Sequence, residues 1–513
     1  MYLTQGLHRS LQIHPDRIAT TFRGRHRTYR EIHARVSRMA SGLRNLGMSD
    51  NDRVGILALN ADRYIELMLS IWWGGGVINP VNIRWSVPEI LYSLDDCDTR
   101  ILFVDDNYLS MAEAIGASAK CPPLMIHMGE GTTPAGMLSF EQLIADNAPM
   151  QDLNRGGGDI ASIMYTGGTT GRPKGVIQTH LNLWSSAISR LAGQSIGEGA
   201  SVLHVAPMFH IASLGRVILQ LVAGQPHVIL PAFDVLAVLQ TIERERVVEM
   251  VLVPTMLQAL ITHPDFARYD LSSLRRLSYG ASPITAPLLE LALERLPGVA
   301  FIHGYGMTET SLISNNGPES HSAEGIASGR IRSAGRSVMG VSVRIVDEDY
   351  NEVPRHTIGE IQVMGANVMS GYWNRPKESA HALSGGWLNT GDGGYLDEEG
   401  YLFIVDRLKD MIVSGGENIY SAEVENALAS HAAVGSCAVI GVPSERWGES
   451  VHAIIVLKPG VDASDSDIIE HCRQRIAGYK CPKSVAFVDS LPLSAAGKVL
   501  KRDLRESYCR GVS

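Results

Sequence analysis

Cysteine is scarce in this 513-residue chain. There are six, Cys97, Cys121, Cys437, Cys472, Cys481 and Cys509, and no two stand at C-x-x-C spacing. That argues against a zinc site built on cysteine pairs and against a disulfide framework, and it points to a reducing compartment, the cytoplasm. Positive charge is not in excess either. The formal net charge is −9, so no global basic field recruits nucleic acid or an anionic membrane, and any polyanion must meet cations placed locally. Long hydrophobic runs are missing. The N-terminal MYLTQGLHRSLQIHPDR holds no apolar core of a secretory signal, and the most apolar early stretch, residues 67–81, is broken by Gly74, Gly75, Gly76, Asn79 and Pro80. Neither a signal peptide nor stable membrane insertion is expected. No repeat or low-complexity tract occurs.

What the chain does have is the balance of a globular protein, with 45% hydrophobic and 19% charged residues, and a length that exceeds one ordinary core. Thr28 and Glu31 have capping-box spacing ahead of apolar Ile32, Val36, Met39, Leu43 and Leu46, and Gly47 stands where such a helix would stop. Strand-like RVGILALN from 53, ILFV from 101, VLHVAP at 202–207 and VEMVLVP at 248–254 alternate with helix-like stretches such as 64–73 and 235–245. That alternation predicts α/β layers with largely parallel sheets. From about residue 335 the texture turns to short β-like runs, with a hairpin expected at Asp397-Glu398-Glu399-Gly400, and after Asp406 comes a compact α+β tail. The expected organisation is a large N-terminal domain of layered α/β subdomains plus a β-rich subdomain, residues 1–408, and a small C-terminal domain, residues 409–513.

The strongest chemical signal is TGGTTGRPKG at 166–175, directly after the strand-like IASIMY. Glycines and threonines at a strand end supply backbone N–H groups and hydroxyls for polyphosphate oxygens, and Lys174 adds a mobile charge. No register of the segment supplies a Walker A loop. The segment resembles the phosphate-binding signature of the adenylate-forming enzymes, the superfamily of acyl-CoA synthetases, peptide-synthetase adenylation domains and luciferases. The likeness runs from about residue 10 to 505, with the signatures in the family's order. The resemblance places Thr166, Gly167, Gly168, Thr169, Thr170, Gly171 and Lys174 at the phosphates of ATP. Gly167 stands where the family usually has serine, which removes one hydroxyl donor.

Further motifs carry further roles by the same resemblance. In HGYGMTET at 303–310, Tyr305 would stack on adenine, Thr308 would bind the α-phosphate and Glu309 would hold Mg²⁺, with His303, Gly304, Gly306 and Met307 around the nucleotide. An oxygen ligand suits a hard cation bridging phosphates. In YGASP, Gly280, Ala281 and Ser282 would let adenine lie against backbone. In NTGD, Asp392 would accept from both ribose hydroxyls, with Arg407 a donor to the same sugar. Lys409 matches the position about which the C-terminal domain swings. In SAAGKVLKR, Lys498 falls on the catalytic lysine, a cation between two mutually repelling anions, the attacking carboxylate and the α-phosphate.

The tail also resembles ligases that use coenzyme A. Gly415 and Gly416 would let the pantetheine arm pass close to backbone, Trp447 and Tyr479 would flank the nucleotide of CoA, and Lys480 and Lys483 would meet its phosphates. The acyl pocket falls on residues 205–214, Gly280, Gly304, Ser311 and Leu312, with His210 beside the reacting carboxylate. These residues are mostly apolar or small, so the acid should be hydrophobic beyond its carboxylate. The small Ala212, Ser213, Gly280 and Gly304 tip the reading to aryl acids of the benzoate, cinnamate or ferulate kind, with medium- or long-chain fatty acids as the alternative. Phe233-Asp234 imitates the amino-acid-binding motif of adenylation domains, but it opens the helix-like 235–245, so Asp234 reads as a cap.

The function expected is therefore an ATP-, Mg²⁺- and CoA-dependent acid–thiol ligase acting through an acyl-AMP. Its partners would be small molecules and no nucleic acid, and a homodimer is compatible with this reading. Transfer to a separate carrier protein remains the alternative acceptor. A non-catalytic adenylate sensor would predict decay of Lys498, Glu309 or Asp392, and all three are present.

Overall fold

The computed structural model describes residues 1–166, 173–193, 197, 199–282, 284–494 and 499–509. Local rules explain its elements where the sequence states them. The Thr28 N–H donates to Glu31 Oε2 at 2.7 Å and the Glu31 N–H donates to Thr28 Oγ1 at 3.2 Å, closing the capping box of the helix Tyr29–Asn45. Gly47 lies just beyond it at φ 96°, the left-handed backbone that ends a helix with little strain only at glycine. Asp234 accepts from the Ala237 N–H at 2.8 Å and starts the helix Val235–Glu245 as its cap.

Two large sheets carry the first three hundred residues. One has eight strands, in which Val77–Pro80, Arg53–Leu57, Thr99–Val104 and Leu124–His127 run parallel. The other has nine, with a parallel centre formed by His227–Ile229, Val202–His204, Glu249–Leu252, Arg276–Gly280 and Ala300–Tyr305. Parallel strands are covered by helices on both faces, which is why they read as short continuous apolar runs. A third, antiparallel sheet of Val341–Val346, Gly359–Gly365, Trp387–Leu396, Leu383–Ser384 and Leu402–Arg407 accounts for the change of texture near 335. Its expected hairpin forms around Asp397, whose Oδ1 accepts from the Glu399 and Tyr401 N–H groups at 3.0 and 2.8 Å.

The fourth sheet, Glu417–Ile419, Ile412–Ser414, Gly448–Leu457, Val434–Ser444 and Ser484–Phe487, packs with the helices Ser421–Ala429 and Asp465–Arg473 on a core of its own. Asp406 links this unit to the third sheet. Its Oδ2 accepts from the N–H and hydroxyl of Ser421, at 2.6 and 2.5 Å, at the start of the helix Ser421–Ala429. Among the described residues no helix is long and apolar enough to cross a membrane. The strands ending at Thr166, Gly280 and Tyr305 deliver the sequence motifs at their carboxyl ends, where open α/β sheets bind ligands.

Candidate active site

The phosphate-loop residues Gly167, Gly168, Thr169, Thr170 and Gly171 lie outside the described residues. Their flanks do not. Thr166 ends one strand and Lys174 opens the antiparallel return strand as its partner. The return strand reaches the second motif directly, because Gln178 Nε2 donates to the Thr308 carbonyl at 2.5 Å. Thr308 and Glu309 sit in a tight turn closed by the N–H groups of Thr310 and Ser311, which donate to the Met307 carbonyl at 3.1 and 2.8 Å. This turn is not a helix start.

Glu309 is buried, and burial pushes its carboxyl pKa up, opposed by the Tyr372 hydroxyl that donates to Oε1 at 2.8 Å. Lys174 Nζ stands 5.1 Å from the Tyr372 ring centroid. A desolvated carboxylate whose one described side-chain donor is neutral suits a hard cation. Among the described residues no group of three or more metal-ligating side chains occurs, but Mg²⁺ needs only one or two carboxylates when phosphates and water complete its shell. The residues present therefore fit a Mg²⁺ on Glu309.

Gly280 and Gly304 face each other in adjacent parallel strands. A Cβ on Gly280, whose φ is 155°, would overlap the Gly304 carbonyl oxygen, so this seam exists only without side chains. Ala281, in the left-handed region at φ 66°, and Ser282 continue the turn. Tyr279 stacks on His303 with ring centroids 5.0 Å apart, and burial pulls the His303 pKa down to about 4, so the ring is neutral.

Tyr305 is buried and donates its hydroxyl to Asp392 Oδ2 at 2.6 Å, while Arg407 Nε forms an ion pair with Oδ1 at 2.7 Å. Asp392 and Arg407 are cross-strand partners in the third sheet, so pairing register presets that contact. Burial and the adjacent carboxylate drive the Tyr305 pKa far up, which keeps it a donor. Gly306 has no room for a side chain, since a Cβ there would overlap the Ser311 carbonyl oxygen.

At the acyl end, His210 caps the helix Ile211–Ala223, its Nδ1 accepting from the Ala212 N–H at 3.3 Å. The Ser213 hydroxyl donates to the Ala206 carbonyl at 2.8 Å and so is satisfied locally. Ser311 is buried at φ 62°, and Leu312 Cδ1 lies 3.3 Å from where a Cβ on Gly304 would stand.

The C-terminal candidates are more dispersed. Gly415 and Gly416 form the two-residue turn of the Ile412–Ser414 and Glu417–Ile419 hairpin, with φ 63° and 85°, the positive values such a turn requires. The Gly415 N–H donates to the Trp447 carbonyl at 2.8 Å, and Trp447 and Tyr479 are 42% and 44% exposed, with Arg446 4.6 Å over the first ring and Lys480 5.7 Å over the second. Lys480 is already engaged by both Glu423 oxygens at 2.7 and 2.8 Å, whereas the ammonium of exposed Lys483 donates to the Gly478 carbonyl at 3.1 Å. Lys409 is exposed in the one-turn helix Leu408–Asp410, and Asp410 pairs with Arg505 at 2.7 Å.

Lys498 lies outside the described residues. The segment before it rests on the large α/β unit: Arg84 Nη1 donates to the Ser494 carbonyl at 3.1 Å, and Leu493 closes a cavity of about 300 Å³ with Asn60, Pro207, Phe233 and Met256. Tyr372, Gln178 and Arg84 escaped the motif reading. Only the aromatic pair Tyr372-Trp373 in a turn-rich stretch leaves a trace of the first.

Residues 7–373 match the model of the AMP-binding enzymes, and residues 423–498 match that of the AMP-binding enzyme C-terminal domain. Feruloyl-CoA synthase of an Amycolatopsis species is 41% identical over 501 residues, 98% of each chain. A long-chain-fatty-acid–CoA ligase of Mycobacterium tuberculosis is 35% identical over 491 residues, 94% of each. The structure of o-succinylbenzoate CoA synthetase from Bacillus subtilis with its acyl-adenylate superposes with a TM-score of 0.85 at 32% identity, covering 98% of this chain and 97% of that one. With the motifs, the fold and these matches in agreement along nearly the whole length, the chain belongs to the AMP-binding, adenylate-forming enzymes.

Proposed function

We propose that the chain is an AMP-forming carboxylic acid–CoA ligase acting on a hydrophobic monocarboxylic acid, an aryl acid of the benzoate, cinnamate or ferulate kind before a fatty acid. The observation that carries the reading is the preset Asp392 carboxylate, fixed by Tyr305 and Arg407 in the cleft that also holds Glu309. The 41% identity to a feruloyl-CoA synthase over the full chain supports the aryl preference.

In the first step a carboxylate oxygen bonds to the α-phosphorus of ATP, and the bond to the bridging oxygen breaks as pyrophosphate leaves with the electron pair. Asp392 and Arg407 hold the ribose, the base lies against the side-chain-free backbone of Gly280 beside Tyr305, and Thr308 donates to the α-phosphate. Lys498 brings a cation to the meeting of two anions. Glu309 would hold a Mg²⁺, which would supply positive charge against the negative charge of the phosphates. In the second step the thiol sulfur of CoA bonds to the acyl carbon, the bond to AMP breaks, and the thiol proton is released.

Residues 409–513 form the domain that turns between the steps about Lys409, bringing Gly415 and Gly416 to the acyl-AMP while Trp447, Tyr479 and Lys483 meet the nucleotide of CoA. Contact of Ser494 with Arg84 favours the adenylating pose for the arrangement described. Lys480 joins the CoA site only after releasing Glu423. The unpaired Cys97, Cys121, Cys437, Cys472 and Cys481 suit the cytoplasm. The deciding experiment is pyrophosphate release over benzoates, cinnamates and C4–C16 fatty acids, with and without CoA. No acid-dependent release from any of them sinks the ligase reading, and release that CoA does not accelerate moves the acceptor to a carrier protein.

A further inference from the structure

Three side-chain positions from separate elements converge at one point behind the acyl end of the cleft. Gly215 lies one turn into the helix that His210 caps. A Cβ built on Gly215 would stand 3.2 Å from Ser311 Oγ and 3.6 Å from Arg190 Nη2. Arg190 comes from the last turn of the neighbouring helix His180–Gly193, so its guanidinium and the Ser311 hydroxyl flank a place where this helix has no side chain.

Each of these two side chains carries an unsatisfied buried atom. Ser311 Oγ and Arg190 Nε are buried and have no hydrogen-bond partner among the described residues. No described carboxylate pairs with Arg190. Glu249, the nearby buried acid, is taken on one oxygen by Arg216 and on the other by Arg276 at 3.3 Å. Burial pulls the Arg190 pKa down to about 10, and Arg190 in turn lowers that of Arg216, so the charge is real and close. A buried guanidinium N–H without an acceptor is costly, and unsatisfied buried donors are rare enough in folded proteins to call for an explanation. Ser311 adds left-handed backbone at φ 62°, a conformation that non-glycine residues rarely adopt and that recurs at ligand sites.

We propose that Arg190 and Ser311 form a polar terminus of the acyl site, reached past Gly215, which binds an oxygen carried by the acid at the end remote from its reacting carboxylate. Arginine can only donate, so that oxygen is an acceptor: a phenolic or alkoxy oxygen, a ketone or a second carboxylate. An alkyl terminus or a bare ring would leave both groups unpaired. This inference rests on the acyl-site reading above and sharpens it from hydrophobic acid to hydrophobic acid with a remote oxygen.

The test is kcat/KM in acid-dependent ATP–pyrophosphate exchange for cinnamate, 4-hydroxycinnamate, ferulate, 4-carboxycinnamate and dodecanoate. Sites built to hydrogen-bond a substrate oxygen reject analogues lacking it strongly, so the native enzyme should favour the best oxygenated acid over cinnamate by about 100-fold or more. Arg190→Met should shrink that ratio to about fivefold or less, with the KM for ATP unmoved, and Arg190→Lys should recover part of it. Gly215→Ala, which keeps both polar groups but fills the space, should lower the same ratio, and it keeps the proposal testable if Arg190→Met fails to fold.

Equal use of cinnamate and its oxygenated analogues by the native enzyme overturns the inference while leaving the aryl reading in place. Dodecanoate used in preference to every aryl acid overturns the aryl reading and the inference together. A ratio unchanged in both variants, or equal losses for bare and oxygenated acids in Arg190→Met, reduces Arg190 to a packing residue and also overturns it.

Discussion

Replacing Asp392 by asparagine probes the nucleotide site at its best-defined atoms. Tyr305 holds Oδ2 at 2.6 Å and Arg407 holds Oδ1 at 2.7 Å, and each oxygen keeps a second lone pair for one hydroxyl of the ribose diol. Asparagine has one acceptor oxygen. Whichever way the amide turns, its NH₂ faces either the Tyr305 hydroxyl or the Arg407 guanidinium, both donors, and one ribose hydroxyl loses its acceptor. A hydrogen bond to a charged group contributes about 1.5–3 kcal/mol, and about 1.4 kcal/mol is tenfold in binding, so Asp392→Asn should raise the KM for ATP about 10- to 100-fold.

The fold should suffer less, because the Arg407 side chain is 40% exposed and water can take over its donor. The assay is ATP–pyrophosphate exchange with ATP and with 2′,3′-dideoxy-ATP, which lacks both hydroxyls. The native enzyme should discriminate between the two nucleotides, and Asp392→Asn should discriminate far less, as expected of two groups that interact directly. A folded variant whose KM for ATP stays within about twofold and whose discrimination persists would place the ribose elsewhere and refute the reasoning.

Glu309→Gln should keep the Tyr372 hydrogen bond through its amide oxygen, preserve the melting temperature and weaken use of Mg·ATP about tenfold or more. Because burial raises the Glu309 pKa, the proton competes with the metal, so apparent Mg²⁺ affinity in the native enzyme should fall as pH falls, and a Mg²⁺ titration across pH should show this dependence reduced in Glu309→Gln. Lys409→Pro should keep the pose described here, since a one-turn 3₁₀ helix already has a φ near that of proline; acid-dependent exchange should survive while CoA-dependent turnover drops, and retention of both rates in a folded variant would move the hinge elsewhere. Gly280→Ala should push the Gly304 carbonyl aside and lose about 1–3 kcal/mol of stability together with ATP binding, and an unchanged melting temperature and KM would show that the seam is not tight.

The sequence alone determined the features set by near neighbours along the chain and by motif order. The Thr28–Glu31 box, the Asp234 cap and the Asp397 hairpin rest on interactions within a few residues, so their spacing states them outright. The order of the signatures carried the chain's family for the same reason, since each is a contiguous segment of the chain.

Tertiary structure alone decided how those segments meet. Tyr305 and Asp392 are 87 positions apart, Glu309 and Tyr372 63, and Lys480 and Glu423 57. Such pairings leave no periodicity or composition to read, because the entropy of closing so long a loop is recovered only when separate cores dock. The fold thereby presets Asp392, gives Glu309 a partner the motifs did not name, and engages Lys480 with Glu423. It also brings Arg190 and Ser311 together beside Gly215, although the three lie in different parts of the chain and neither spacing nor composition links them.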